Sequence, residues 1–118
     1  MRFSESLKKT EDFKAVYQAG KSRANRLLVL YARKNESAGN RVGISVSRKV
    51  GNSVVRHRVA RLLRESYRLH EEEFHSGWDI VVVARTGAQN ASYREMEAAL
   101  LSLGRLQHLL DTEKKESE

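Results

Sequence analysis

Three stretches of the chain show the hydrophobic pattern of β-strands. Residues 27–33 are apolar on both sides, which is typical of a strand covered on both faces or of one with a ligand groove on one face. Residues 41–47 alternate strictly between apolar and small side chains, and residues 78–85 form a nearly continuous β-branched run. We therefore predict a hairpin of two strands joined by the turn at 35–40, and one central strand later in the chain.

A first, short helix is predicted over residues 7–20. Thr10 is the expected N-cap, two acidic residues follow it, and Gly20 ends the helix. Three apolar residues share one face at i, i+3 and i+4: Phe13, Val16 and Tyr17. Because two of the three are aromatic, this face suits either ordinary core packing or a surface on which nucleic-acid bases stack.

The longest predicted helix, over residues 53–70, separates a buried face from a row of cations. Ser53 is the expected N-cap, and the helix then runs without Gly or Pro. At about 100° per residue, the face to be buried is made of Val55, Val59, Leu62, Leu63 and Ser66. An arc of roughly 60° on the opposite side holds His57, Arg61, Arg64 and Arg68. Glu65, beside this row, is the only acid in the helix.

The row of cations predicts a polyanionic partner. Ordinary surface helices interleave opposite charges at i and i+4, whereas here like charges repel each other along one stripe. Arg56 and Arg58 add further positive charge at the start of the helix. The planar guanidinium fork suits phosphate oxygens. A merely solvated helix face is the simpler interpretation, and the lack of compensating acids argues against it.

A last helix is predicted over residues 93–110, after the acidic segment that precedes the central strand. Ser92 and Glu95 form an S-x-x-E capping box at its start. Residues 111–118 form a charged tail.

These elements predict one α+β domain over residues 1–118, with its core at about 7–110. The expected fold is a two-layer α/β sandwich in the order α-β-β-β-α-β-α, with the third strand a short one just before Ser53. The second strand, the 53–70 helix and the 78–85 strand would form a β-α-β crossover in a mixed sheet.

Charge is distributed unevenly along the chain. Residues 1–68 carry 17 Lys and Arg against 5 Asp and Glu, whereas residues 69–118 carry 5 against 10. Basic character is therefore concentrated, which favours a directed binding face. The chain has no Cys, no long apolar run and no apolar signal core at its N-terminus. We expect a soluble, cytoplasmic protein without a membrane partner.

One face of the predicted hairpin suits single-stranded nucleic acid. The second strand is small and polar on one side, so another group can approach the sheet there. Tyr31 lies on the neighbouring strand, and the aromatic residues of the first helix can line the same groove. Bases stack on such rings while nearby cations hold the backbone. Ordinary core packing remains the alternative.

Several spaced motifs resemble the protein component of bacterial ribonuclease P over about residues 7–110. The most specific is V-G-N-S-V-V-R-H-R at residues 50–58, followed by Arg61, Arg64 and Glu65. The others are L-K-K-x-x-D-F-x-x-V-Y at residues 7–17, Leu30-Tyr31, and R-V-G-I-S-V-S-R-K-V at residues 41–50. The resemblance implies an α+β sandwich with a left-handed β-α-β crossover, although general topology rules favour the right-handed form.

The resemblance also implies a function. The protein would bind the catalytic RNA subunit and the 5′ leader of precursor tRNA, and aid endonucleolytic removal of that leader. The chemistry would belong to the RNA, with Mg²⁺ bound mainly by the RNA, no catalytic or metal-binding residue in the protein and no obligatory protein partner. Family positions for binding the catalytic RNA transfer to Arg56, His57, Arg58, Arg61 and Arg64, and geometry adds Arg68. Those for leader binding transfer to Phe13, Tyr17 and Tyr31, with Ser45 and Lys49 at the edge.

Two residues depart from the family pattern. The usual Asn between the first two arginines is His57, which cannot copy the paired donor and acceptor of an amide. A position that is often basic is Ala60. A weaker or rearranged RNA contact is expected.

Two other functions compete with this interpretation. A protein-only nuclease would need metal ligands, but His70 and His75, which flank three Glu residues, would lie about 140° apart on a helix. Composition alone would favour a ribosomal or generic RNA-binding protein, and only the set of motifs argues against it. Cleavage that depends on an added catalytic RNA distinguishes all three.

Overall fold

The computed structural model describes residues 4–111, and these contain five strands and three helices. In chain order the elements are β1 (Ser4–Ser6), α1 (Thr10–Ala19), β2 (Lys21–Ala24), β3 (Leu28–Lys34), β4 (Asn40–Ser45), α2 (Ser53–His70), β5 (Trp78–Ala84) and α3 (Tyr93–Leu106). Short 3-10 turns follow α2 and β5, at Glu71–Glu73 and Thr86–Ala88. The α+β class is confirmed.

The strands form one mixed sheet in the order β1-β4-β5-β3-β2. β5 pairs in parallel with β4 and antiparallel with β3. The predicted β3–β4 hairpin is therefore wrong, because β5 lies between the two strands. β5 is the most continuously apolar strand and is largely buried, so the central position shields both of its faces. The parallel β4-α2-β5 crossover is confirmed, whereas its left-handed sense stays a prediction.

Two short strands were not located by the hydrophobic pattern. β1 pairs in parallel with β4, and β2 pairs antiparallel with β3. The third strand between the first two helices is thus β2, and the short strand predicted just before Ser53 is not present, since residues 46–52 contain no strand residue. β1 and β2 lie at the sheet edges and are polar and mostly exposed, so they carry no apolar alternation.

The main core lies between the sheet and the helices α2 and α3. Its fully buried members include Leu28, Leu30, Val59, Leu63, Ile80, Met96, Leu100 and Leu103. The predicted inner face of α2 is confirmed, with Tyr67 also buried on it. A smaller cluster on the other sheet face joins α1 to the strands through Leu7, Val16 and Val81. The helices therefore cover one face fully and the other face only in part.

The cap of α2 is one residue earlier than predicted. Asn52, not Ser53, occupies the N-cap, and its Oδ1 accepts a hydrogen bond from the N–H of Val55 at 3.0 Å. In α1 the N-cap position belongs to Lys9 rather than Thr10, and no side chain caps that end. Asn is as good an N-cap as Ser, so the sequence pattern did not separate the two neighbours.

Two other helix ends follow the sequence, and one does not. The capping box of Ser92 and Glu95 is confirmed at α3, with both reciprocal hydrogen bonds present. Gly20 ends α1, and its N–H donates to the carbonyl of Val16 at 2.7 Å. α3 ends at Leu106, earlier than the predicted residue 110.

Candidate nucleic-acid interface

The central part of the cation row on α2 is exposed. His57, Arg61 and Arg64 form no hydrogen bond or ion pair with any residue in the range 4–111. The opposite face of the helix is buried against the core, which fixes the direction in which these side chains point. Their donors are therefore available to a partner.

Arg68, at the far end of the row, is paired with an acid. Its guanidinium donates to both carboxylate oxygens of Glu65, Nη2 to Oε2 at 2.6 Å and Nε to Oε1 at 3.2 Å. The bond lowers the pKa of Glu65 and raises that of Arg68. Arg68 is thus the least available cation of the row, and Glu65 partly neutralises this end.

Arg58 is tied to the loop that precedes α3. Its Nη1 donates to the carbonyl of Ala91 at 3.2 Å, and its Nη2 donates to the carbonyl of Gln89. Both acceptors are backbone atoms more than 30 residues away, so no residue type in the sequence indicated them. Arg58 therefore connects α2 to the start of α3, although family position had assigned it to RNA.

Arg56 lies on the opposite flank of α2 from Arg58. The residue is half-buried, and its Nε is shielded from solvent without a hydrogen-bond partner in the described part of the chain. The two arginines at the helix start are therefore not equivalent to the exposed row. Of the predicted RNA-binding residues, the structure leaves His57, Arg61 and Arg64 fully available.

On the other side of the sheet, the three predicted aromatic residues form one patch. The ring centroids of Phe13 and Tyr17 are 6.4 Å apart, and those of Tyr17 and Tyr31 are 4.9 Å apart in an edge-to-face arrangement. Val16 is fully buried between α1 and the sheet, whereas Tyr17 is 38% exposed. Of the three apolar residues of α1, Val16 therefore belongs to the core, whereas the rings of Phe13 and Tyr17 lie at the border of the core.

Gly43 explains how α1 approaches the sheet. A Cβ atom at this position would lie 2.5 Å from the Cζ atom of Phe13, closer than real contacts allow. The small face of β4 was expected to admit an approaching group, and in the structure the Phe13 ring occupies that space. A side chain at Gly43 would displace the Phe13 ring and so disturb the patch.

Next to the patch, a strip of the sheet remains only half-covered. Ser45 pairs with Val83 across β4 and β5, and Val83 pairs with Val29 across β5 and β3. All three are of intermediate burial and lie on the face that carries Tyr31. Ser45 thus borders the aromatic patch. Lys49 is exposed in the turn after β4 and has no hydrogen-bond or ring contact with the patch.

A buried carboxylate that no sequence pattern indicated lies on the same face of the sheet, where β3 ends and β4 and β5 begin. Asp79 has no exposed side-chain area and accepts bonds from Arg41 at 2.9 and 2.7 Å, Asn35 at 3.0 Å and Arg33 at 3.4 Å. Arg41 also lies 3.6 Å from Asp12 of α1. Burial alone would raise the pKa of Asp79, but the bonds from Arg41 and Asn35 outweigh it, so the pKa is lowered. The cluster ties α1, β3, β4 and β5 together.

The acidic segment after α2 is organised around one histidine. The Nδ1 atom of His70 lies 2.7 Å from Glu73, and its Nε2 atom lies 2.6 Å from Glu97 of α3. His75 instead lies near Asp111 at 3.3 Å. Within residues 4–111 no three His, Asp or Glu side chains are grouped to hold a metal ion, and no helix there is long and apolar enough to cross a membrane.

Comparison with known proteins gives one family. The family model described as Ribonuclease P matches residues 1–107. The ribonuclease P protein component of Lachnoclostridium phytofermentans is 54% identical over 109 residues, which covers 92% of this chain and 94% of that protein.

Solved structures agree with this family. A structure of the Staphylococcus aureus RNase P protein is 34% identical, has a TM-score of 0.83, and covers 90% of this chain and 97% of that one. The RNase P protein from Thermotoga maritima is 31% identical with a TM-score of 0.79, and covers 93% and 99%. The sequence, the sheet order and the two surfaces therefore lead to one conclusion: the chain belongs to the ribonuclease P protein family.

Proposed function

We propose that the chain is the protein subunit of a ribonuclease P whose catalytic subunit is RNA. It binds that RNA through α2, binds the 5′ leader of precursor tRNA through the aromatic patch, and so aids removal of the leader. One observation carries the proposal. In a chain of this family, exposed arginines without a bonded acid among the described residues, Arg61 and Arg64, and a half-covered aromatic patch lie on opposite sides of one sheet.

The exposed cations support binding of the RNA subunit. Arg61 and Arg64 are one turn apart, are not neutralised by a hydrogen-bonded acid, and project from a helix that is buried on its other face. Placing such groups against phosphates releases counterions from the RNA without breaking bonds inside the protein. The binding strength is then expected to fall steeply with salt.

The aromatic patch supports leader binding. The rings of Tyr17 and Tyr31 meet edge to face beside a half-covered strip of the sheet, and Tyr17 is 38% exposed. Each base that stacks on a ring contributes about 1–3 kcal/mol, and the contact tolerates different sequences. Mature tRNA lacks the leader, so this contact distinguishes substrate from product.

In this proposal the protein supplies no nucleophile, acid or base. Mg²⁺ would be held mainly by the RNA subunit and not by side chains of this protein, and it would supply Lewis-acid stabilisation of the reacting oxygens. The protein reduces the repulsion between RNA phosphates and holds the leader, which lowers the Mg²⁺ concentration that cleavage needs. His57 lies on the exposed row, so we assign it to RNA contact rather than to proton transfer.

The decisive experiment is cleavage of a leader-bearing precursor tRNA at low Mg²⁺. A bacterial ribonuclease P RNA is assayed with and without the protein, and the protein is also assayed alone. We expect accurate 5′ cleavage, leaving a 5′-phosphate, only when RNA and protein are combined.

Other outcomes identify the competing functions. Cleavage by the protein alone would indicate a protein-only nuclease. Tight RNA binding without any rescue of cleavage would indicate a generic RNA-binding protein, and the departures at His57 and Ala60 would be examined first by restoring the family residue at position 57.

A further inference from the structure

We propose that a cleft at the β2 edge of the sheet is a second subsite for the 5′ leader. It would take leader nucleotides that lie farther from the cleavage site than those on the aromatic patch. The inference rests on the proposed function, because it assigns an additional length of the same ligand to a separate surface.

The cleft is basic and large enough for a nucleotide. Its volume is about 850 Å³, and its walls come from β2, the ends of β3 and α1, the start of β5 and the end of α3. Ligand sites usually measure about 300–1,000 Å³. Four of its lining residues are Lys or Arg, and no acid lines it: Lys21, Arg23, Arg33 and Lys34. This charge matches a phosphate backbone.

Apolar surface accompanies the cations. Trp78 lines the cleft half-buried, and the Nζ atom of Lys34 lies 5.8 Å from its ring centroid. Leu106, at the end of α3, is 48% exposed beside it. Charges on an edge strand commonly prevent pairing with another chain, which explains Lys21 and Arg23. That role does not explain an indole ring and an exposed Leu in the same cleft, whereas stacking of a base does.

The cleft is continuous with the aromatic patch. Ser22 of its wall pairs directly with Tyr31, and Arg33 lies two residues further along β3 on the same face. Ala19, also in the wall, follows Tyr17 by two residues at the end of α1. Lys21 and Arg23 pair with Ala32 and Leu30 and therefore lie on the α3 side of the sheet, the face opposite to the aromatic patch. A leader that leaves the patch past the end of α1 reaches them by passing round β2, which is the edge strand of the sheet.

The cations of β2 are free to take phosphates. Lys21 and Arg23 are exposed, and their side chains form no ion pair or hydrogen bond within residues 4–111. Arg33 is held in place by Asp79 at 3.4 Å, and its Nε has no partner among the described residues. The free cations of the cleft are therefore Lys21 and Arg23, whereas the guanidinium of Arg33 is held against Asp79.

The test uses the protein bound to its catalytic RNA and a series of precursors whose leaders grow one nucleotide at a time. We expect the double variant K21A/R23A to bind short-leader precursors normally and long-leader precursors more weakly. For the long leaders, the slope of log affinity against log salt should fall by about 1.4, which is about 0.7 for each lost phosphate contact on a single strand.

A matched control removes two arginines at the other end of α3. Arg94 lies in the first turn of that helix, and Arg26 is close enough to act on Glu95. Both are exposed, so R26A/R94A changes the net charge equally and should show no dependence on leader length. If K21A/R23A proves unstable in a thermal melt, K21Q/R23Q keeps the longer side chains and repeats the test.

Trp78 provides an independent readout because it is the only Trp in the chain. Its fluorescence should change when a long-leader precursor binds and stay constant with a short-leader one. An equal loss of affinity at all leader lengths, or weaker binding of the RNA subunit by K21A/R23A, would overturn the inference. The proposed function fails separately, if the unmodified protein itself shows no preference for precursor over mature tRNA.

Discussion

The arginines on the two sides of the sheet have opposite roles. Arg33 and Arg41, on the α1 side, are about one-third exposed and converge on the buried Asp79. Arg61 and Arg64, on α2, are exposed and have no bonded acid within residues 4–111. The first pair of arginines stabilises the fold through Asp79, whereas the second pair remains available to a ligand.

This difference shows that a count of basic residues does not measure a binding surface. Arg41 lies in the basic half of the sequence, yet its nearest acids are Asp79 of β5 and Asp12 of α1. Arg58 lies within the arginine-rich motif, yet its guanidinium is bound to backbone carbonyls. The cations that remain for RNA are identified only when the folded partners are known.

The strongest test of the internal side is D79N. The substitution removes the charge that two guanidinium groups share and leaves them without it at a buried site. We expect the free energy of unfolding to fall by about 3 kcal/mol, the lower end for a broken buried pair, because the arginines are partly exposed. Urea denaturation measures the effect, and D111N is the control, since Asp111 is 87% exposed.

The contribution of Asp79 to the stability of the protein should depend on pH in one direction only. The pKa of Asp79 is lowered in the folded protein, so its stabilising contribution is present above its unfolded pKa and is lost as the pH falls through the folded value. The difference in stability between the unmodified protein and D79N should therefore shrink in acid. A difference that grew in acid would contradict this assignment.

The next largest effect is expected from Y17A. Loss of one stacking ring should weaken binding of precursor tRNA by about 2 kcal/mol. Mature tRNA, which has no leader, should bind as before. Because a ring carries no charge, the salt dependence of binding should stay unchanged, unlike that of an arginine variant. Y17F keeps the ring and should behave like the unmodified protein. An equal loss for precursor and mature tRNA would rule out a leader-specific contact.

A pair of variants on α2 then compares a tethered arginine with a free one. R58A loses two charge-assisted bonds to the α3 loop, so we expect the protein to lose about 1.5 kcal/mol of stability. R61A should leave the melting temperature unchanged and weaken binding to the catalytic RNA, with the salt slope reduced by about 1. Thermal melts and filter binding at several salt concentrations separate the two effects. Unchanged RNA affinity in R61A would exclude this face as the RNA contact.

Much of the fold could be predicted because its hydrophobic signals are local. The inner face of α2, the capping box at Ser92 and the stop at Gly20 each depend on neighbours within a few residues. The prediction of a β3–β4 hairpin was wrong because the order of strands in the sheet depends on which strand has the most apolar surface to bury. β5 takes the centre of the sheet for that reason, and no signal near β3 or β4 reveals it.

The candidate site was predictable to the extent that motifs mark it. The exposed row and the three aromatic residues lie where the motif positions indicated, and the rings are in contact. The Asp79 cluster was missed because its members are separated by up to 67 positions, from Asp12 to Asp79, and each looks like an ordinary surface residue. The basic cleft was missed since β2 has no apolar alternation.

The smallest effect is expected from His70, which carries a positive charge only when its ring is protonated. His70 lies between Glu73 and Glu97 and joins the end of α2 to α3. Partial burial acts to lower its pKa, but the bonds to Glu97 and Glu73 outweigh this, and the pKa is raised. Its contribution is therefore complete below the unfolded pKa of about 6.5 and is lost as the pH rises through the folded value.

H70Q should remove this pH dependence while changing stability by less than about 1 kcal/mol, as expected for a partly exposed pair. The unmodified protein should lose stability relative to H70Q as the pH rises above about 6.5. H57Q is the matched control, because His57 is exposed on the cation row and has no acid partner within residues 4–111. If H57Q altered the pH profile as much as H70Q does, the pH dependence could not be assigned to the contacts of His70 with Glu73 and Glu97.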